Sequence, residues 1–219
     1  MISGMGIFLD PQMVVACIIL PILTTNILQV AKAGIGLARA AALEHWRFIV
    51  VVCVSILVSA QFLLLIPKDM LFIVLGVAVV VLCVVQLAGW RPRLTSKWRR
   101  PFEWIAGLTA GTIGGLTGTW GPPTVLYLLA LDTPRDKQMA VLGVIFGLGS
   151  VMLFAGHVQS GVLNAQTWPL SAVLVPPAFI GMWLGFKLGD RIDQARFRTV
   201  TLWMLVFAGA NLIRRGLLG

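Results

Sequence analysis

The sequence predicts an all-α integral membrane protein, and three observations predict it. Hydrophobic residues make up 58% of the 219 and charged residues only 11%. A soluble domain carries about a quarter charged residues, so this chain could not keep a surface wet. The apolar residues fall into blocks long enough for helices across a hydrocarbon core, which takes roughly 20 residues each. Between the blocks, Lys and Arg gather in a few loops. One multi-pass membrane domain follows, with the bilayer as its first partner. The blocks at 12–31, 48–66, 70–90, 138–157, 168–188 and 197–213 read as full spans.

The segment 102–131 differs. It is apolar but broken by Gly114-Gly115-Leu-Thr-Gly118-Thr-Trp-Gly121-Pro122-Pro123. Its two parts, about 22 Å and about 13 Å as helix, are each shorter than a core of about 30 Å. Loop charges say how it runs, because Lys and Arg collect on the cytoplasmic side. The stretch 91–101 holds Arg91, Arg93, Lys97, Arg99 and Arg100 with no acid, and reads as a cytoplasmic linker. Counting outward, 32–47 (Lys32, Arg39, Arg47), 132–137 (Arg135, Lys137) and 187–198 (Lys187, Arg191, Arg196, Arg198) are cytoplasmic too. Only Lys68, Arg214 and Arg215 fall outside. Segment 102–131 then begins and ends on the same side, as a re-entrant broken-helix hairpin. One simple span there would put the basic 187–198 loop outside.

The halves resemble each other. Gln12-Met13 opens the first span and Gln138-Met139 the fourth, each after an Asp and a Pro. The charges give the two sets of three spans opposite orientations, which makes an inverted-topology repeat, common in secondary transporters. Residues 1–90 form the first repeat, 91–101 the linker and 102–219 the second repeat. Ser3-Gly4-Met5-Gly6 stands where a first hairpin's tip would be, so that hairpin is largely missing here.

Non-helical backbone at membrane depth survives only where protein buries it or where it lines a wet cavity. The break at Gly118–Pro123 is therefore the leading site. Pro122 and Pro123 suit the first turn of a helix, where N–H groups have no partner. The half-helix after them points a partially positive N-terminus at the tip and suits an anion without any Lys or Arg. Thr117, Thr119 and Thr124 add hydroxyls, Trp120 an indole N–H, and Gly118 and Gly121 leave room for backbone contact. Structurally, the same residues could be a packed kink. Thr24, Thr25, Asn26 and Gln29 form a second polar cluster, suited either to substrate or to interhelical bonding. Gly107, Gly111, Gly115 and Gly181, Gly185, Gly189 recur every four residues and are expected to seat the hairpin against the fifth span.

Other classes lose ground on the residues. The net charge of +9 is explained by the cytoplasmic loops, so no nucleic acid is expected. Cys17, Cys53 and Cys83 stand singly in apolar runs, and no metal, cofactor or catalytic residues are expected. No basic n-region with a long apolar stretch opens the chain, so no cleavable signal is expected. No acid or base lies mid-span; Glu103, Asp132 and Lys187 read as snorkelling near interfaces. His157 reads as an interface residue. Trp46, Trp90, Trp98, Trp104 and Trp168 fit an aromatic belt.

The run Gly111-Thr-Ile-Gly-Gly-Leu-Thr-Gly-Thr-Trp-Gly-Pro-Pro-Thr-Val-Leu-Tyr127 resembles the second-half motif of the TauE/SafE sulfite exporter (TSUP) family of membrane permeases. Leu20-Pro21-Ile-Leu-Thr-Thr25-Asn26 is similar to its first-half signature, and Phe197–Leu212 to its final helix. The family's longer glycine-rich opening hairpin is reduced here to residues 3–6. The resemblance implies transport of sulfite, organosulfonates or related sulfur oxyanions across the bacterial inner membrane. The expected function is thus a secondary carrier of small anions, with Na⁺ or H⁺ as coupling ion and a homo-oligomer as the further partners to consider. An anion-selective channel is the alternative, and a membrane-embedded enzyme or assembly factor the more distant one.

Overall fold

A computed structural model describes residues 10–89, 96–189 and 194–218. The opening residues 3–6, Trp90, Arg91, Arg93 and Arg191, on which several expectations rest, lie outside them. The described residues form ten helices and no strand: α1 (Pro11–Ala33), α2 (Ile35–Glu44), α3 (Trp46–Phe62), α4 (Lys68–Leu87), α5 (Ser96–Thr117), α6 (Gly121–Ala130), α7 (Arg135–Gln159), α8 (Trp168–Val173), α9 (Val175–Gly189) and α10 (Gln194–Leu218). The fold is all-α, as the composition predicts. The stretches 12–31, 68–87, 137–159 and 168–185 are each long and apolar enough to cross a bilayer. Helices α2 and α3, bent by 84°, make a fifth when counted as one. The broad apolar surface that such a chain presents to lipid is present: Val50, Val54, Val58, Ile105, Leu108, Trp183 and Phe207 are all exposed. So are Trp46, Trp98, Trp104 and Trp168.

Two of the expected elements differ. The segment 32–47, read as a loop, contains helix α2, whose Ala38, Ala41 and Ala42 pack on the core. Alanine-rich sequence favours helix wherever an apolar face finds cover. The fifth span is interrupted at Leu174, between α8 and α9. Pro176 and Pro177 supply the reason, since they lack N–H groups and crowd the preceding turn.

The segment 102–131 doubles back on itself. Helix α5 starts beside His45 at Arg99–Glu103, breaks at Gly118, and α6 brings Tyr127 back to His45. The segment returns to the end it left. Gly118 has φ +68°, a conformation L side chains rarely adopt, and faces Ile18 and Ile22 in the middle of α1. At the far end, Asp10 pairs with Lys68, Gln12 donates to the Leu63 carbonyl, and Gln61 donates to Gln159. Helix α1 therefore begins where α7 finishes, and the two run antiparallel.

The glycine ladders correct one expectation. Gly107, Gly111 and Gly115 seat the hairpin on the second span, α3, and not on the fifth. A Cβ on Gly111 would meet the Val52 carbonyl oxygen at 2.6 Å, and one on Gly115 the Ile56 carbonyl oxygen at 2.5 Å. Ser59 crosses the same contact by donating to the Gly111 carbonyl at 3.2 Å. Gly181 and Gly185 of α9 have nothing within 4 Å. Spacing marks a helix as able to pack closely; it carries no information about the partner. A second close pair joins α4 to α10, where a Cβ on Gly76 would lie 2.6 Å from the Gly209 carbonyl.

Candidate functional site

The broken hairpin tip meets a second helix irregularity, Pro21 in α1. Between them lies a cavity of about 320 Å³, lined by Pro21, Ile22, Thr25, Thr117, Thr119 and Pro122, and completed by apolar side chains of α4, α9 and α10. A mainly apolar pocket with a few placed polar groups is the usual form of a small-molecule site.

The hydroxyls differ in what they can still donate. Thr25 gives its proton to the Pro21 carbonyl at 2.6 Å, which leaves it lone pairs only. Thr117 accepts the Thr119 N–H at 3.1 Å, so its own proton is free. Thr119 is half-buried at the cavity wall. Helix α6 aims its N-terminus at this space, but its two prolines remove donors. Thr124 N–H is taken by the Trp120 carbonyl at 3.3 Å. Gly121 carries the first-turn N–H for which an α-helix supplies no partner. The donors on the cavity wall are thus the Thr117 and Thr119 hydroxyls, fewer than the half-helix alone suggests.

The remaining expected residues stand around this set. Thr124 is fully buried and donates its hydroxyl to the Trp120 carbonyl at 2.7 Å, so that proton is taken within α6. Trp120 is buried edge-on to Phe146 and against Gly149. Its indole N–H has no partner, and it lies outside the cavity lining. Pro123 is buried, and Gly121 faces Phe146 at 3.6 Å. Asn26 is half-buried in α1, its carbonyl toward Gly147 rather than in the cavity wall. Cys83, one of the three free cysteines, is a lining residue.

A second polar assembly was missed in the sequence. Glu103, read as snorkelling, is only 9% exposed and is held by Arg99 Nε at 3.3 Å. Its carboxylate lies within reach of the Tyr127 hydroxyl. Tyr127 in turn meets His45 Nδ1 at 3.0 Å and stacks on Phe48, centroids 3.9 Å apart. His45 sits in the elbow before α3. Burial holds its imidazole below the ordinary pKa; Glu44 and Glu103 oppose that shift and Arg99 adds to it. The signal in the sequence was the i,i+4 pair Arg99/Glu103 together with the single tyrosine. His157, expected at an interface, is fully buried with neither ring nitrogen paired. Among the described residues no three His, Cys, Asp or Glu side chains group to hold a metal.

Comparison with known families and proteins adds one result. The family model described as Sulfite exporter TauE/SafE matches residues 1–212. No curated protein and no solved structure matches the chain.

Proposed function

Since this chain belongs to the sulfite exporter TauE/SafE family, a family of membrane transporters, we propose that it is a secondary carrier. Its substrate is a small sulfur oxyanion or organosulfonate, crossing the bacterial inner membrane. The observation that carries this reading is the cavity where Thr117 and Thr119 of the hairpin face Pro21 and Thr25 of α1. The substrate's negative charge sits against the α6 N-terminus, equivalent to about half a positive charge. The Thr117 and Thr119 hydroxyls donate to its oxygens, and the apolar walls exclude water so that these few bonds count for more. No ionised side chain lines the cavity. A bound anion is therefore held by dipoles, which suits a carrier that must also release it.

Hydrogen bonds to a charged partner contribute roughly 1.5–3 kcal/mol each. Thr117→Val and Thr119→Val, nearly isosteric, should each raise the KM for sulfite in proteoliposomes about ten-fold or more. Thr109→Val serves as control, because Thr109 is exposed and its hydroxyl is bonded within α5 at 2.7 Å. Unchanged KM in both folded variants would sink the assignment. Counterflow of labelled sulfite against a preloaded gradient separates a carrier from an anion channel, which gives none.

A further inference from the structure

The His45 assembly lines a cavity of its own, about 210 Å³, at the end where the basic loops lie. Around it stand Glu44, His45, Arg47, Arg99, Arg100 and Glu103, with Tyr127 behind. His45 is 3% exposed, and its Nε2 has no hydrogen-bond partner. Arg99 is engaged by Glu103, whereas Arg47 and Arg100 are exposed and make no ion pair among the described residues. Arg47 instead lies over the Trp46 ring at 5.4 Å. Three guanidiniums thus face two carboxylates, of which Glu44 is exposed to solvent. The site carries surplus positive charge and one buried, vacant nitrogen.

His45 Nδ1 lies 3.0 Å from the Tyr127 hydroxyl. In the neutral tautomer that donates this bond from Nδ1–H, the other nitrogen, Nε2, is a bare lone pair. It can donate to a ligand only after taking up a proton. Glu44 and Glu103 favour that proton, and burial and Arg99 oppose it until an anion offsets them.

We propose that this cavity is a proton-linked oxyanion site, in which a small oxyanion bridges Arg47, Arg100 and the Nε2–H of a protonated His45. One anion and one proton are taken up together at the basic end of the molecule. The proposal rests on the reading of the chain as an anion carrier, for which this site is the point of loading or release. The protein thereby handles the coupling proton without a mid-span carboxylate.

Sulfate is the probe, because it keeps its charge between pH 5.5 and 8 and brings no proton of its own. Calorimetric titration in buffers of different ionisation enthalpy counts protons taken up per sulfate bound. The Thr119→Val protein is used throughout, so that the hairpin cavity contributes little. Binding should tighten up to about ten-fold per pH unit as pH falls through neutrality, with close to one proton taken up. His45→Gln should abolish both the uptake and the pH slope. Arg47→Gln with Arg100→Gln, both at exposed positions, should weaken sulfate binding at least ten-fold while the proton count per sulfate stays the same. Proton uptake that survives His45→Gln, or affinity indifferent to the paired arginine change, overturns the proposal. Neither result bears on the Thr117 and Thr119 kinetics, so the two sites fail independently.

Discussion

Pro21 deprives α1 of one N–H and leaves the Cys17 carbonyl without its helical donor. Inside a bilayer such a group must find a partner within the protein. Ser171 of α8 supplies it: its hydroxyl donates to the Cys17 carbonyl at 3.1 Å and accepts the Leu20 N–H at 3.1 Å. One fully buried side chain repairs the irregularity that walls the hairpin cavity. Ser171→Ala should therefore leave the buried Cys17 carbonyl unpaired, at about 1–3 kcal/mol. The thermal midpoint in detergent should fall clearly below that of Ser160→Ala, whose half-buried hydroxyl bonds only its own helix. Equal midpoints would mean that Pro21 is accommodated in some other way. Nothing local to Ser171 announces this role, because the contact spans 154 positions of chain.

At the scale of elements, one of the close packings in the described structure joins α3 to α5. The Gly111 and Gly115 faces have no room for a side chain, whereas the Gly185 face of α9 is open. Overpacking a tight helix interface costs typically 1–3 kcal/mol and more when backbone lies in the way. Gly115→Leu should reduce the yield of monodisperse protein sharply, since the new side chain meets the Ile56 carbonyl and Ser59. Gly185→Leu in the same chain should express and fold as the parent does. Size-exclusion profiles of the two, run together, test the assignment; matching profiles would show that the ladder is not a packing surface. The pattern of small residues every fourth position was legible in both helices. Which of them found a partner was not, because spacing describes one helix and a contact needs two.

For the whole molecule, the distribution of charge and the return of the hairpin agree on one arrangement. The basic end holds the α2–α3 elbow, the start of α5 and the end of α6, and the opposite end holds Asp10, Lys68 and Gln159. Lys and Arg retained in the cytoplasm then predict the orientation. In a protein freed of its three cysteines, a cysteine probe at Gln159 should react with an impermeant maleimide added outside. One at Thr133 should stay protected until the membrane is opened. Modification of both from the same side would refute the re-entrant hairpin as read from charge parity. The antiparallel run of α1 and α7 would then need a different explanation from an inverted repeat.

The sequence by itself determined the class of the protein, and it predicts a topology. Composition excludes a soluble surface, block length marks candidate spans, and charge parity predicts that 102–131 turns back. These are properties of each segment in water or lipid, and they need no neighbour to be evaluated. The run from Gly114 to Pro123 likewise declared a break, since glycine and proline act on their own backbone. Only tertiary structure decided which side chains face the resulting space. It brought Thr25, Thr117 and Thr119 to one wall, turned Thr124 and Trp120 inward, and spent the Thr25 proton on α1. It also changed Glu103 from an interface charge to a buried group, by bringing Tyr127 of α6 and the His45 elbow beside it. Burial and hydrogen-bond partnership are relations between distant segments. A pattern along the chain records what each residue can do, and packing selects which of those things it does.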